Sequence, residues 1–327
     1  MQDRIRIAIA GYGNLGRGAE LAIGKNPDME LVGIYSRRPA GQVTTATDAP
    51  VFGMDQLPAH QDRIDVLILC GGSKEDLPKQ GPDYAALFNI VDSFDTHARI
   101  PEHFAAIDPV ARANRRTALI STGWDPGLFS LNRALGEAVL PDGATYTFWG
   151  DGLSQGHSDA LRRVPGVAGA VQYTRPSQAA MDEVRAGGRP ALDARQMHRR
   201  DCFVVLEDGA DADLVREAIV TMPDYFQGYE TSVTFITAAE LARDHAAMLH
   251  GGFVIRSGTT AADQVQVMEY SLKLRSNPEF TASVLVASAR AVHRMHKLGQ
   301  FGAKTIFDVP LGLLSPRRPE ALRAELL

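Results

Sequence analysis

Over its first 126 residues the chain alternates short apolar runs with amphipathic stretches. Arg4-Ile5-Arg6-Ile7-Ala8-Ile9-Ala10 alternates and then turns wholly apolar, the pattern of a parallel strand covered on both faces. A helix over about Asn14 to Lys25 follows, and Met29-Glu30-Leu31-Val32-Gly33-Ile34-Tyr35 supplies a second strand, completing a βαβ unit. Asp65 to Cys70, Asn89 to Val91 and Thr117 to Ser121 read as third, fourth and fifth strands, with a helical stretch from Ile100 to Arg115. Strands that alternate with helices predict a parallel, doubly wound α/β sheet of the Rossmann type.

From about residue 128 the rhythm changes. A helix near Leu128 to Leu140 leads into the aromatic strand Thr145-Tyr146-Thr147-Phe148-Trp149. Further strands are expected at Ala170 to Thr174, Asp201 to Leu206, Glu230 to Ile236, Gly252 to Ser257 and Val265 to Leu274. Helices near Ser177 to Arg185 and Asp211 to Thr221 interrupt them, which describes a second α+β domain with a mixed or antiparallel sheet. A last strong helix, about Glu279 to Lys297, starts after Asn277-Pro278 and is expected to return to the first domain. The predicted division is 1–126, completed by about 278–327, and 127–277. The glycine-containing stretch from Gly150 to Gly169, with Pro165, reads as a loop or hinge.

The turn after the first strand carries chemistry. In Gly11-Tyr12-Gly13-Asn14-Leu15-Gly16 the first glycine permits a tight turn, the second lets a pyrophosphate approach and the third lets the next helix pack closely. That helix aims its first N–H groups at the phosphates. A glycine-rich turn without a ligand is the alternative. An NAD site places Asp or Glu about 20 residues beyond the glycines, against the ribose 2′-hydroxyl. Here Ser36-Arg37-Arg38 stands instead, a hydroxyl and two guanidiniums suited to a 2′-phosphate. NADP is therefore the expected cofactor; the bland reading is a solvated basic pair. Ligands of such sheets lie beyond the carboxyl ends of the strands. Cys70-Gly71-Gly72-Ser73, Ser93-Phe94-Asp95 and Thr122-Gly123-Trp124-Asp125-Pro126 all fall there and join the expected cofactor contacts.

Composition narrows the partners. A hydrophobic content of 45%, a charged content of 22% and a formal net charge of -5 without a basic block suit a water-borne globular chain and not a nucleic-acid binder. No run reaches the roughly 18 apolar residues of a membrane span, and the N-terminus enters the first strand without room for a signal peptide. Two cysteines, Cys70 and Cys202, make neither a disulfide framework nor a zinc motif, and no metal is expected. A cytoplasmic location is the expectation.

Asp95 and Asp125 follow neighbouring strands, so they are the candidate catalytic pair; turn or cap duty is the alternative. Gly152-Leu153-Ser154-Gln155-Gly156-His157-Ser158-Asp159-Ala160-Leu161-Arg162-Arg163 gathers polar and small residues, although Ser158 or Asp159 could simply cap a helix. Thr174, Arg200, His250 and Asn277 are dispersed at the edges of predicted elements, and nothing in the sequence alone selects them.

The chain closely resembles the meso-diaminopimelate D-dehydrogenase family nearly end to end. The resemblance rests on Gly11 through Arg17, Ser36-Arg37-Arg38, Ser121 through Gly127, Phe148-Trp149-Gly150 and Gly152 through Arg163. Thr221-Met222-Pro223-Asp224-Tyr225-Phe226, His250-Gly251-Gly252 and Asn277-Pro278 extend it. It departs in details such as Asp151 before Gly152 and Phe94 before Asp95. The resemblance implies NADP-dependent, reversible oxidative deamination of the D-centre of meso-2,6-diaminopimelate, giving L-2-amino-6-oxopimelate and ammonia. It implies a homodimer, and it implies that Asp95, Asp125, Trp149, Gln155, Gly156, Thr174, Arg200, His250 and Asn277 contact substrate. Arg200, His250, Thr174 and Asn277 can donate to carboxylates, and the two aspartates can hold ammonium groups. Rival readings are another NADP-dependent Rossmann oxidoreductase, acting on a D-amino acid or a sugar, a thiol-dependent aldehyde dehydrogenase using Cys70, and a non-catalytic NADPH sensor.

Overall fold

The computed structural model describes residues 4–327. They divide into two compact units, one formed by the chain up to Leu131 together with Pro278–Leu327, the other by Asn132–Asn277.

The first unit is built on a seven-stranded sheet. Its strands are β1 (Ile5–Ala10), β2 (Met29–Ser36), β3 (Val51–Gly53), β4 (Val66–Leu69), β5 (Ile90–Asp92), β6 (Thr117–Leu119) and a last strand, Gly302–Lys304. Every pairing is parallel, and the order across the sheet is Gly302–Lys304, β6, β5, β4, β1, β2, β3. The chain moves one way from β1 to β3 and the other way from β4 to β6, so the winding reverses between β1 and β4. The crevice at that reversal, beyond the strands' carboxyl ends, is where such sheets bind ligands.

β1 shows why its sequence turns continuously apolar. Ile7 and Ile9 face a core shared with Ala19 and Ile23 of α1 (Asn14–Ile23) and with Leu285, Val286, Ala289 and Val292 of the long helix Asn277–Lys297. Ala8 and Ala10 face the opposite core, shared with Leu77 and Ala85 of α2 (Leu77–Ala85) and with Ile107 and Ala111 of α3 (Ile100–Ala113). Alternate residues point to opposite faces, so a strand buried on both sides has no position for a polar residue. The returning helix is held by more than apolar contact. Arg290, 1% exposed, donates to Asp28 at 2.6 and 2.8 Å, to Asn26 at 2.6 Å and to the Leu314 carbonyl at 2.8 Å.

The second unit holds two sheets. Strands β7 (Gly143–Trp149), β8 (Gly152–Leu153), β9 (Val167–Pro176), β10 (His198–Leu206), β11 (Thr231–Phe235), β12 (His250–Ala261) and β13 (Gln264–Leu274) form them. One sheet runs β11-β10-β9-β8 and is antiparallel except for the parallel β10–β11 pair; the other, β13-β12-β7, is wholly antiparallel. Leu161, Cys202, Val204, Ile219 and Phe226 centre one core, and Tyr146, Phe148, Met181, Val184 and Ile255 the other.

The stretch expected as a loop from Gly150 to Gly169 contains β8 and a helix, Gln155–Leu161. Two of its serines bond inward. Ser154 N–H donates to the Gln172 carbonyl at 2.9 Å, and Ser158 Oγ accepts from Gln172 N–H at 3.0 Å, fastening the segment to β9. Among the described residues, no helix is long and apolar enough to cross a membrane.

Candidate functional site

The three glycines after β1 meet three different demands. Gly11 sits at φ +98°, where side chains are strained, and a Cβ there would lie 3.1 Å from the Cys70 carbonyl group. Gly16 lets α1 pack onto the turn, since a Cβ would come within 2.3 Å of the Gly11 carbonyl oxygen. At Gly13 a Cβ would meet no protein atom within 4 Å. Nothing in the protein demands glycine there, and the open space lies before the first N–H groups of α1, at Asn14 and Leu15. A dinucleotide pyrophosphate fits that space and that polarity.

Tyr12, within the turn, hydrogen-bonds the Glu20 carboxylate; burial and that carboxylate push its phenol up to about 12. Glu20 is itself 1% exposed and accepts from the N–H groups of Ala46 and Thr47 at 2.9 and 2.7 Å, fixing the turn to the loop after β2.

The basic pair at the end of β2 is anchored. Ser36 Oγ accepts from Arg38 N–H at 3.0 Å, and the Arg38 guanidinium donates to the Tyr12 carbonyl. Arg37 meets Asp76 at 2.9 and 3.2 Å, and Asp76 also accepts from Gly72 N–H at 2.8 Å. The Arg37 side chain is 74% exposed, so this pair is weak and its guanidinium remains available to an anion. A serine and two arginines thus stand at the rim of the glycine turn, a donor set whose chemistry suits a 2′-phosphate.

At the end of β4, burial pushes the Cys70 thiol up to about 12, which counts against the thiol reading. Ser73 Oγ accepts from Asp95 N–H at 2.9 Å and so holds the backbone of the first candidate acid. Phe94, expected as a cofactor contact, is 1% exposed and stacks on His103 at 4.2 Å. Only its backbone, beside the half-buried Ser93, faces the strand end. After β6 the chain folds into a tight turn. A Cβ on Gly127 would lie 1.9 Å from the Gly123 carbonyl oxygen, and Trp124 pairs with Gly127 and packs edge-on against Phe129. Thr122 is fully buried; Asp125 and Pro126 stay half-exposed at the tip, and Asp95 is exposed on the loop after the adjacent β5.

The second unit collects residues that are scattered in sequence. Antiparallel register sets Arg200 on β10 opposite Thr174 on β9, and Gly152 on β8 opposite the same threonine. A Cβ on Gly152 would strike the His250 ring at 2.5 Å, so the imidazole lies directly over that glycine. Gly252 of β12 pairs with Trp149 of β7. The Gln155 amide lies 3.6 Å from the Met248 sulfur, and the Met248 carbonyl accepts from Asn277 N–H at 3.0 Å. Gly156, next in the helix, has open space where a side chain would stand.

Arg200 is the most informative member. It is 8% exposed, donates to Thr174 Oγ1 at 2.6 Å and lies 4.2 Å above the Tyr229 ring. Its buried Nε has no partner, and no carboxylate pairs with it among the described residues. Burial lowers its pKa, as expected for a desolvated cation. An unpaired buried guanidinium is costly, and it reads as a group held ready for an anion. The sequence pointed to neither Tyr229 nor His198. His198 Nε2 accepts from Trp149 N–H at 2.9 Å while Nδ1 bonds the Ala194 carbonyl at 3.0 Å, and its ring stacks on the indole at 5.3 Å. His157 bonds Ser154 Oγ at 2.8 Å and lies edge-on to Tyr225 and Phe226. Burial holds both histidines down, to about 4, so they are neutral in the physiological range.

A turn that leaves room only for a ligand, followed one strand later by a hydroxyl and two arginines, belongs to the oxidoreductases that use a phosphorylated dinucleotide. Comparison with known proteins narrows the class. The family model described as the diaminopimelic acid dehydrogenase C-terminal domain matches residues 123–276. The chain is 59% identical over 323 residues to the meso-diaminopimelate D-dehydrogenase of Lysinibacillus sphaericus, covering 99% of each chain. Among solved structures it is similar to the C. glutamicum DAP dehydrogenase in complex with DAP, at 49% identity and a TM-score of 0.91 over 100% of both chains. An engineered D-amino acid dehydrogenase bound to NADP+ matches at 48% identity and a TM-score of 0.86, over 99% of this chain and 100% of the other. The chain belongs to the meso-diaminopimelate D-dehydrogenase family.

Proposed function

We propose that this chain catalyses the reversible, NADP-dependent oxidative deamination of the D-centre of meso-2,6-diaminopimelate, a step of lysine biosynthesis. The observation that supports this reading best is a buried Arg200 that no carboxylate pairs with among the described residues and whose Nε has no partner; the anchored Ser36-Arg37-Arg38 set of the first unit agrees with it. The bound nicotinamide supplies the hydride acceptor. Asp95 and Asp125, on loops from adjacent strands, take the ammonium at the D carbon. One of them, directly or through water, removes a proton, because hydride departs readily only from a carbon bearing a neutral amine. The resulting imine takes up water and releases ammonia, leaving L-2-amino-6-oxopimelate, which cyclises to tetrahydrodipicolinate. Arg200, Thr174, His250 and Asn277 donate to the substrate carboxylates, with Trp149, Gln155 and Gly156 beside them. The two ends of the substrate differ only in handedness, so donors that fix the L end decide which carbon meets the nicotinamide.

A homodimer and a cytoplasmic location belong to the same proposal, on the strength of the family resemblance. Mixing NADP with the meso, LL and DD isomers and following NADPH absorbance tests the reading. The meso isomer should reduce NADP and the LL isomer should not. Absence of NADPH with the meso isomer would overturn the assignment.

A further inference from the structure

Asp92, the last residue of β5, takes no part in the reaction as proposed, yet its side chain is 0% exposed. Its Oδ1 accepts from Phe94 N–H at 3.0 Å and from Ser121 N–H at 2.8 Å. Its carbonyl accepts from Thr122 N–H at 3.0 Å. Its Oδ2 lies 2.7 Å from His103 Nε2 on α3, and the His103 side chain is 2% exposed. The imidazole stacks on the Phe94 ring at 4.2 Å and 20°, and α2 leaves it room through Gly81, where a Cβ would fall 3.0 Å from its Cε1. One carboxylate thus joins the loop that carries Asp95 to the loop that carries Asp125.

The second loop needs such a hold. Ser121 sits at φ +52°, in the left-handed region that non-glycine residues rarely occupy, and its buried hydroxyl has no partner. A residue in that conformation costs on the order of 1 kcal/mol or more and persists only where its surroundings impose it. The Asp92–Ser121 bond is the constraint the structure shows. Phe94 is fixed twice, through its N–H by Asp92 and through its ring by His103, and Asp95 follows it directly.

We infer that Asp92 and His103 are positioning residues that set the relative placement of the two candidate catalytic aspartates. This rests on the function proposed above, but the pair acts through Phe94, Ser121 and Thr122 and never touches substrate. A displacement of about 1 Å in a reacting group can cost roughly a hundredfold in rate. The Asp92→Asn variant keeps an oxygen for both N–H groups and can face its amide to an imidazole of the other tautomer. Asp92→Ala leaves both N–H groups without an acceptor. His103→Gln frees the carboxylate from its second anchor.

The experiment measures kcat per NADPH-binding site, with binding sites counted by NADPH fluorescence titration, using whichever amino acid the unsubstituted chain oxidises. Asp92→Ala should lose about a hundredfold in kcat while its remaining sites bind NADPH within about threefold of the parent. Asp92→Asn should stay within about tenfold, and His103→Gln should fall between them. The deuterium isotope effect on kcat should grow in the same order as the chemical step slows. A purely structural role predicts fewer binding sites, each turning over at the parental rate, and that result would overturn the inference. If Asp92→Ala does not fold, His103→Gln decides: turnover per site within about threefold of the parent sinks it. An unsubstituted chain that reduces NADP with a different D-amino acid would discard the substrate assignment without affecting this comparison.

Discussion

Replacing Arg200 by methionine should damage the enzyme selectively. The guanidinium bonds Thr174 and stacks on Tyr229, which leaves its other N–H groups for an anion. Hydrogen bonds between charged groups contribute about 1.5–3 kcal/mol each, and a guanidinium engages a carboxylate through up to two. Loss of this contact should therefore cost about 2–4 kcal/mol, or roughly 30- to 1,000-fold in kcat/KM, for a substrate whose L end carries the carboxylate. D-Lysine has the same D-centre and chain but lacks that second carboxylate. Its kcat/KM should change by less than about threefold. Steady-state NADPH formation with both amino acids gives the ratio, which should collapse toward that of the weaker substrate.

Stability provides the control for Arg200→Met. Methionine fills much of the same volume without a charge to desolvate, and Arg200 has no acid partner to strand. Substitution of a buried charge by an apolar residue is often neutral or stabilising, so the melting temperature should hold or rise. Equal losses on both substrates would refute the reasoning, because Arg200 would then serve the D-centre or the fold in general. A large fall in melting temperature would refute it too.

Gly13→Ala should leave thermal stability unchanged, since its backbone is extended at φ -105° and a Cβ meets no protein atom, while KM for NADP rises about tenfold or more; an unchanged KM would show that no pyrophosphate passes there. Arg38→Ala should raise KM for NADP by about 10- to 100-fold with little effect on any turnover with NAD, and Arg37→Ala should do less because that side chain is 74% exposed; the ratio of the two cofactors' kcat/KM reads both. His198 is held down from 6.5 to about 4 by burial, so the unfolded chain binds more protons between those values, and stability should be full above pH 6.5 and decline as pH falls toward 4. The decline attributable to His198 is on the order of 3 kcal/mol, and chemical denaturation of His198→Gln at pH 7 and pH 5 should show a shallower dependence than the parent; parallel curves would contradict the buried neutral imidazole.

The first unit was legible because parallel strands covered on both faces cannot hide their pattern. β1, β2 and β4 stand out as apolar runs, and each ends in residues too polar or too small to continue a core. What escaped was short or interrupted. Val51–Gly53 and Gly302–Lys304 have three residues each, and with a glycine among the three neither leaves an apolar run to read. Helix Leu77–Ala85 carries Pro78, Gly81 and Pro82, residues that read locally as a turn. Its packing against α3 overrides that propensity, and Gly81 is required by the close approach of Ile107 and His103. The stretch after Gly150 was legible only in part: its polarity allowed a helix start but read otherwise as loop, whereas the Ser154 N–H and the Ser158 hydroxyl bond Gln172 of β9 and the Ser154 hydroxyl bonds His157.

The site divides along the same line between local and nonlocal information. The glycine turn and Ser36-Arg37-Arg38 could be read because a phosphate is held by contiguous backbone and by the residues that end the next strand. Thr174, Arg200 and His250 could not, because strand pairing gathers them: Arg200 meets Thr174 only when β9 and β10 pair as they do, and His250 lies over Gly152, which pairs with the same threonine. The supporting groups are harder still. Nothing in the sequence distinguishes Asp92 from Asp95, two acids three residues apart at one strand end. The fold buries one against His103 and leaves the other exposed. The Asp92 carboxylate has two backbone donors and an imidazole within 3.0 Å, whereas Asp95 stands exposed on the loop beyond the strand. That difference in surroundings is decided in three dimensions, by where each residue falls relative to the end of β5 and by the His103 that α3 places against Asp92.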